Sequence, residues 1–220
     1  HVVAGACPPI SILPNQVITP EFPILAAQPP ELPWFARGEP PVILGVGRLR
    51  LIKNFPMLVR AFARIQPDTG ARLMILGEGK QRTELLRLGD QLGVAAWMDL
   101  PGHVANPYPH MARSALFVLS SLWEGFGNVL VEALACGTPV VATNCRSGPA
   151  QILENGRYGT LVPVDDARAL ANAITRTLND PLPPDFLKQA AAPYTLANST
   201  EAYLSALGLT PDRAAPTDSR

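Results

Sequence analysis

The chain alternates short, unbroken apolar runs with longer stretches in which apolar positions recur every three or four residues. Val42–Val46 (VILGV), closed by Gly47, is the first run. A run with no polar member reads as a strand covered on both faces. From Asn54 to Ile65, the residues Leu58, Phe62 and Ile65 fall at helical spacing, which predicts a helix with one apolar face. The pattern then repeats. Arg72–Leu76 predicts a strand ended by Gly77-Glu78-Gly79, and Gln81–Leu92 a helix closed by Gly93. Trp97–Leu100 predicts a weaker strand, Pro107–Arg113 a short helix, Leu116–Leu119 a strand, Val129–Ala135 a helix and Val140–Ala142 a strand. Pro149–Leu153 reads as a helical turn and Thr160–Val162 as a strand. Ala167–Leu178 reads as a helix with Leu170, Ile174 and Leu178 on one stripe.

Apolar strands alternating with amphipathic helices predict a doubly wound, Rossmann-like α/β domain, a parallel sheet with helices on both faces. Its expected limits are residues 41–180. Ligands in such sheets sit beyond the carboxyl ends of the strands, so the loops that matter are 47–53, 77–80, 101–106, 120–128 and 143–148. Residues 1–40 are Pro-rich with little periodicity and read as an irregular linker. A second proline cluster, PLPPDF, opens a segment at 181–207 in which Thr195–Leu207 forms a further helix. The polar stretch 208–220 reads as a disordered tail.

Composition narrows the function. The 18 basic and 18 acidic residues cancel, which speaks against a sequence-independent grip on nucleic acid. No apolar run is long enough to span a membrane, and the first residues lack the basic and apolar regions of a signal peptide. Cys7, Cys136 and Cys145, with His1, His103 and His110, show no metal-ligand spacing. The cysteines read as free thiols in a reducing compartment.

Two glycine-rich strand ends fail as nucleotide fingerprints. In G45-V46-G47-R48 a dinucleotide motif needs Gly at position 50, where Arg stands. L76-G77-E78-G79-K80-Q81 has the wrong spacing for a Walker loop. What remains after the first strand is a pair of cations, Arg48 and Lys53, which suits a diphosphate; a solvated surface pair explains them equally well.

The stretch SSLWEGFGNVLVEALACGTPVVAT, residues 120–143, carries more. Glu124 lies just past a strand's carboxyl end. Gly125-Phe126-Gly127 lets backbone approach a bound group, and the helix from Asn128 aims free N–H groups and a positive dipole end at the same place. Glu132 sits about one turn in. The loop thus offers donors for phosphate oxygens and two acceptors for hydroxyls, the groups of a nucleotide joined to a sugar. Glu124 as a first-turn acid and Glu132 as a solvated helix residue is the plainer reading, but Val129, Leu130, Val131, Leu134 and Ala135 leave little solvated face. Ser147-Gly148-Pro149 is either a second anion- or sugar-facing turn or a helix cap. His103 and Asn106 can meet a base or sugar, although a lone His in a Pro-Gly turn is more often a surface residue. Tyr108, Trp123 and Phe126 read as packing or loop anchors.

GVGRLxxxKNF, LMILGEG, the run from PGHVANPYPHM through WEGFGNVLVEALACGTPVVAT to SGPAQIL, and GRYGTLVPVDD together resemble the retaining glycosyltransferases of family 4. The likeness runs over about residues 15–207. Its most specific part is the E-x7-E spacing from Glu124 to Glu132. The resemblance implies the C-terminal domain of a GT-B fold, with the N-terminal acceptor domain absent and residues 1–40 a remnant of the interdomain crossover. The chain is then the donor half alone, a truncated product or a fragment. It also implies a hexosyltransferase that uses a UDP- or GDP-linked sugar, retains configuration and needs no metal or other cofactor. Arg48, Lys53 and Glu124 would be catalytic. Gly47, His103, Gly125, Phe126, Gly127, Asn128 and Glu132 would bind the donor, with Glu132 on the ribose.

The implied partners are a saccharide or lipid-linked acceptor and a separate acceptor domain, in polysaccharide or glycolipid synthesis. The implied place is the cytoplasm, with peripheral contact at the inner membrane. Such enzymes usually carry Asp, Pro and Glu where this chain has Asn144, Arg146 and Gln151. A non-catalytic nucleotide-sugar-binding remnant is the alternative from another class. A nucleotide-sugar epimerase of similar fold is a third, against which GRLxxxK and EGFGNVLVEA stand.

Overall fold

The computed structural model describes residues 12–30, 32–36 and 38–209. His1, Cys7 and the tail from residue 210 lie outside them. Six strands, β1 (Val42–Val46), β2 (Arg72–Leu76), β3 (Met98–Gly102), β4 (Leu116–Leu119), β5 (Val140–Thr143) and β6 (Thr160–Val162), form one sheet in the order β3-β2-β1-β4-β5-β6. All five pairings are parallel.

The unbroken apolar runs are explained by two cores. Side chains alternate across a strand, so Ile43, Leu73, Ile75, Leu116 and Val118 enter one core while Leu44, Met74, Leu76, Phe117 and Leu119 enter the other. The first core is closed by α2 (Phe55–Thr69), α3 (Arg82–Gln91) and α7 (Ala167–Asn179). The second is closed chiefly by α4 (Tyr108–Arg113), α5 (Asn128–Ala135) and α8 (Pro184–Ala191). At Gly45 a Cβ would stand 3.1 Å from the Phe55 ring and 3.2 Å from Leu58. The bare backbone lets the start of α2 lie close on β1.

Two helices differ from the sequence reading. α1 (Phe22–Ala27) lies inside the segment read as irregular linker. It buries Phe22 against Tyr108 at a ring separation of 4.6 Å. α8 begins in the proline cluster PLPPDF, where the pattern predicts no helix before Thr195, and Leu187, Ala190 and Ala191 are buried on α5's side of the sheet. In both, proline falls in the first turn, where its missing N–H costs no hydrogen bond. α2 also runs past Ile65 to Thr69, with Pro67 in its last turn and Gly70 closing it.

The four-residue α6 (Pro149–Ile152) precedes β6, and α9 (Leu196–Ala206) ends the described chain. The 14–18 segment is stitched to the start of α9. Ser199 Oγ donates to the Pro14 carbonyl at 2.5 Å, and Ile18 forms a bridge with Thr195. No described helix is long and apolar enough to cross a membrane.

Candidate functional site

β1 and β4 are neighbours, and beyond them the chain departs to opposite sides. This is the switch point at which doubly wound sheets hold ligands. Two cavities of about 1060 and 1010 Å³ open there and share Val46, Gly47, Arg48 and Glu132. They are the two ends of one groove. The first end is lined by loops after β2 and β3, including Glu78, Lys80, Gln81, His103 and Tyr108. The second is lined by Lys53, Glu124, Gly125, Phe126, Gly127 and Asn128. Arg48, Lys53, Glu124, Glu132, His103 and the 125–128 loop all border the groove, with His103 at the opposite end from Glu124. The candidate Asn106 does not; its amide donates to the Leu25 carbonyl and to Gln28, both at 3.0 Å, and anchors α1.

Glu124 is 8% exposed. Burying a carboxylate requires partners, and two are present: Lys53 Nζ donates to Oε1 at 2.7 Å and Ser121 Oγ donates to the same oxygen at 2.5 Å. Lys53 is itself held by its backbone, since its carbonyl accepts from Ser120 Oγ at 2.8 Å. Leu122 N–H reaches the Ile52 carbonyl at 2.8 Å. Thr143 Oγ1 donates to the Ser121 carbonyl at 2.6 Å, tying β5 into the same network. The sequence places Lys53 beside Arg48 as a free cation; in the structure Glu124 already meets its charge. One N–H of the ammonium is used and two remain. Ser120, Ser121 and Thr143 escape sequence reasoning. Their only signal is hydroxyl residues at the ends of two apolar strands.

Glu132 is built differently. Gly127, left-handed at φ 103°, starts α5, and Leu130, Val131, Ala133 and Leu134 are buried against the sheet. Glu132 lies on the half-buried flank, bordering both cavities. Among the described residues its carboxylate has no hydrogen-bonded partner, and burial raises its pKa. Burial and then the Glu132 charge push the Cys136 thiol up to about 12, so this cysteine stays protonated. Burial first and Glu132 second also raise Tyr108.

A carboxyl whose pKa is higher folded than unfolded contributes stability that is complete at acid pH. That contribution is lost as pH rises through the raised value. Glu132→Gln is thus expected to melt higher than the parent at pH 8, with the difference vanishing below the ordinary carboxylate range. Melting curves across that span check it; a Glu132→Gln protein less stable at pH 8 would contradict it.

At the second end Gly148 (φ 87°) lies against the loop of Phe126. A Cβ there would overlap the Phe126 carbonyl. Ser147, left-handed at φ 71°, and Gln151 line the same cavity, so this turn faces the groove as well as starting α6. Phe126 stacks edge-on with Tyr194 at 5.2 Å. Trp123 is 50% exposed and its backbone bridges to Arg146, so of the two expected roles it serves as a loop anchor rather than in packing.

The family described as "Glycosyl transferases group 1" matches residues 40–180. The N-acetylgalactosamine-N,N'-diacetylbacillosaminyl-diphospho-undecaprenol 4-alpha-N-acetylgalactosaminyltransferase of Campylobacter jejuni is 41% identical over 138 residues. That match is 63% of this chain and 37% of the relative. The lipopolysaccharide core biosynthesis glycosyltransferase LpsE of Rhizobium meliloti is 36% identical over 143 residues, 65% of this chain and 41% of that one. The chain thus matches well under half the length of these relatives. Among solved structures, HepE of Anabaena in complex with UDP superposes with a TM-score of 0.69 at 25% identity, covering 77% of this chain and 49% of that one. A Rickettsia africae glycosyltransferase, at TM-score 0.75 and 18% identity over 89% of this chain and 57% of its own, shares the fold. By sheet order, strand-end loops and sequence match alike, the chain belongs to the group 1 glycosyl transferases, with the α/β architecture of a GT-B domain.

Proposed function

We propose that the groove binds a nucleoside-diphosphate sugar and that the chain is the donor domain of a metal-independent, retaining hexosyltransferase. The observation that carries this is the meeting of two cavities at Arg48 and Glu132. The first end takes the base, with His103 beside it. Glu132 accepts from the ribose hydroxyls. Arg48, the spare N–H groups of Lys53 and the start of α5 face the diphosphate. Glu124 and the 125–127 backbone meet the sugar.

In the reaction the bond from the anomeric carbon to the diphosphate oxygen breaks and an acceptor hydroxyl bonds to that carbon from the same side. The hydroxyl proton passes to the departing diphosphate. Fixed cations and helix dipole stabilise the charge that develops on that leaving group, which is the work a metal ion does elsewhere. The acceptor is a saccharide or lipid-linked sugar, held by a further domain, in surface polysaccharide or glycolipid synthesis. The setting is the cytoplasm or the inner face of its membrane. The transferase names of the relatives and the UDP bound to HepE support this reading.

Calorimetric titration with UDP, GDP and ADP tests it. One diphosphate is expected to bind, and Arg48→Ala or Glu132→Ala to weaken it by about tenfold or more, roughly 1.4 kcal/mol for each tenfold loss. Lys188→Ala, on α8 and away from both cavities, leaves binding unchanged. Equal effects from all three variants overturn the proposal.

A further inference from the structure

The backbone of β1 turns its hydrogen-bonding groups alternately to its two neighbours. Even-numbered residues face β4: the Val42 carbonyl accepts from Ala115 N–H at 3.0 Å. Odd-numbered residues face β2, and this alternation continues past the end of the strand. Gly47 N–H donates to the Leu76 carbonyl at 2.9 Å and Leu49 N–H to the Glu78 carbonyl at 2.8 Å. The sense of the peptide between Gly47 and Arg48 is fixed as well. The Gly47 carbonyl oxygen lies so close to Gly77 that a Cβ there would overlap it. In a trans peptide the C=O and N–H point opposite ways. The Arg48 N–H therefore points away from β2, toward the side of β4. There β4 has already ended. The pairing of Ile43 with Leu116, carried forward, sets Arg48 against Ser121, whereas the last residue of β4 is Leu119. Among the described residues no acceptor takes the Arg48 N–H. It is a main-chain donor left open at the switch point, on a residue that borders both cavities.

We infer that the main-chain N–H of Arg48 is itself a ligand of the diphosphate, and that Gly77 is the positioning residue that aims it. Both roles rest on the donor-site reading above. A phosphate oxygen is the acceptor the surroundings favour, because the Arg48 guanidinium, Lys53 and the start of α5 bring positive charge to the same cavity. The guanidinium is on a long side chain that must be ordered when it binds. The N–H is already ordered, held between the backbone hydrogen bonds of Gly47 and Leu49, with the Leu49 side chain wholly buried. A donor fixed in advance loses little entropy on binding. Gly77 sets its direction because what a Cβ would meet there is main chain, so Gly77→Ala must tilt or displace the 47–48 peptide.

The test is proton–nitrogen correlation NMR of the full chain, titrated to saturation with whichever of UDP, GDP and ADP binds. The Arg48 amide proton is expected to move downfield on binding. The amide at position 48 does the same in Arg48→Ala, which loses the guanidinium and keeps the N–H. The Leu49 amide, already engaged by Glu78, moves little. Gly77→Ala weakens the diphosphate by about tenfold or more and abolishes the movement at Arg48. Gly93→Ala, at φ 71° with nothing within 4 Å of its Cβ, loses stability but keeps affinity and movement alike, which separates aiming from general loosening. An Arg48 amide that stays in place in the saturated parent protein overturns the inference, whether or not Gly77→Ala folds. So does a folded Gly77→Ala with the parent's affinity, or equal movement with the nucleoside alone. Failure of all three diphosphates to bind overturns the donor-site reading, and this inference with it.

Discussion

Replacing Gly148 by Ala is expected to cost about 3 kcal/mol of stability and to dismantle the sugar end of the groove. Two penalties combine. Gly148 stands at φ 87°, where a Cβ meets its own backbone at about 1–2 kcal/mol. The added methyl also overlaps the Phe126 carbonyl. That obstacle is backbone and cannot rotate aside as a side chain would. Either the 125–127 loop shifts or the start of α6 does, and both border the cavity. Urea unfolding gives the stability, and a fall in nucleotide-sugar affinity beyond that for the bare diphosphate reports the local damage. Gly125→Ala is the control: nothing lies within 4 Å of its Cβ, so its stability stays within about 0.5 kcal/mol of the parent. A Gly148→Ala protein as stable as that control would show that the two loops are not in fixed contact.

Lys53→Ala is the second large effect. It leaves Glu124, 8% exposed, with Ser121 alone for company. Removing one partner of a buried pair costs about 3–5 kcal/mol when burial is complete. The Lys53 side chain is 20% exposed and that of Glu124 10%, so about 2–3 kcal/mol is expected here. The double substitution Lys53→Ala with Glu124→Ala removes the orphaned charge and should recover part of the loss. A double-mutant cycle in urea then gives a coupling of about 1 kcal/mol or more; additive losses would mean that the 2.7 Å contact contributes nothing. Both single variants should also lose donor binding. A protein that regains stability in the double mutant but not affinity would separate the structural use of the pair from its use toward ligand.

Five of the strands were legible because each has an apolar interior, whereas β3 carries Asp99 inside it; the structure places strand starts and ends within a residue or two of the pattern. The run at 98–102 was harder to bound, since Pro101 and Gly102 belong to the strand rather than ending it. α1 and α8 were hidden by their prolines. A proline cluster marks a break or a first turn equally well, and only the partner against which Phe22 or Leu187 packs decides between them. The residues bordering the groove were readable from spacing because strand ends in such a sheet converge on one edge. The pairing of Lys53 with Glu124 was not, since 71 positions separate them on loops from different strands. The tie of the 14–18 segment to α9 was not legible either. It depends on hydrogen bonds from Gln16 and Ser199 that span the chain, and no local pattern records a contact of that range.

The strand order has a consequence for how the protein is made. β1 leaves the ribosome first among the strands, and β2 and β3 can add to it in turn as they emerge. Its other edge stays bare until β4 arrives, a pairing between Ile43 and Leu116 that closes a long loop. Such distant contacts form slowly and leave strand edges open to wrong partners meanwhile. Arg48 and Lys53 are synthesised early and Glu124 and Glu132 late, on opposite sides of that seam. The groove therefore comes into being only when two halves of a nascent chain meet, and a nucleotide that fits it would hold shut the joint between those halves.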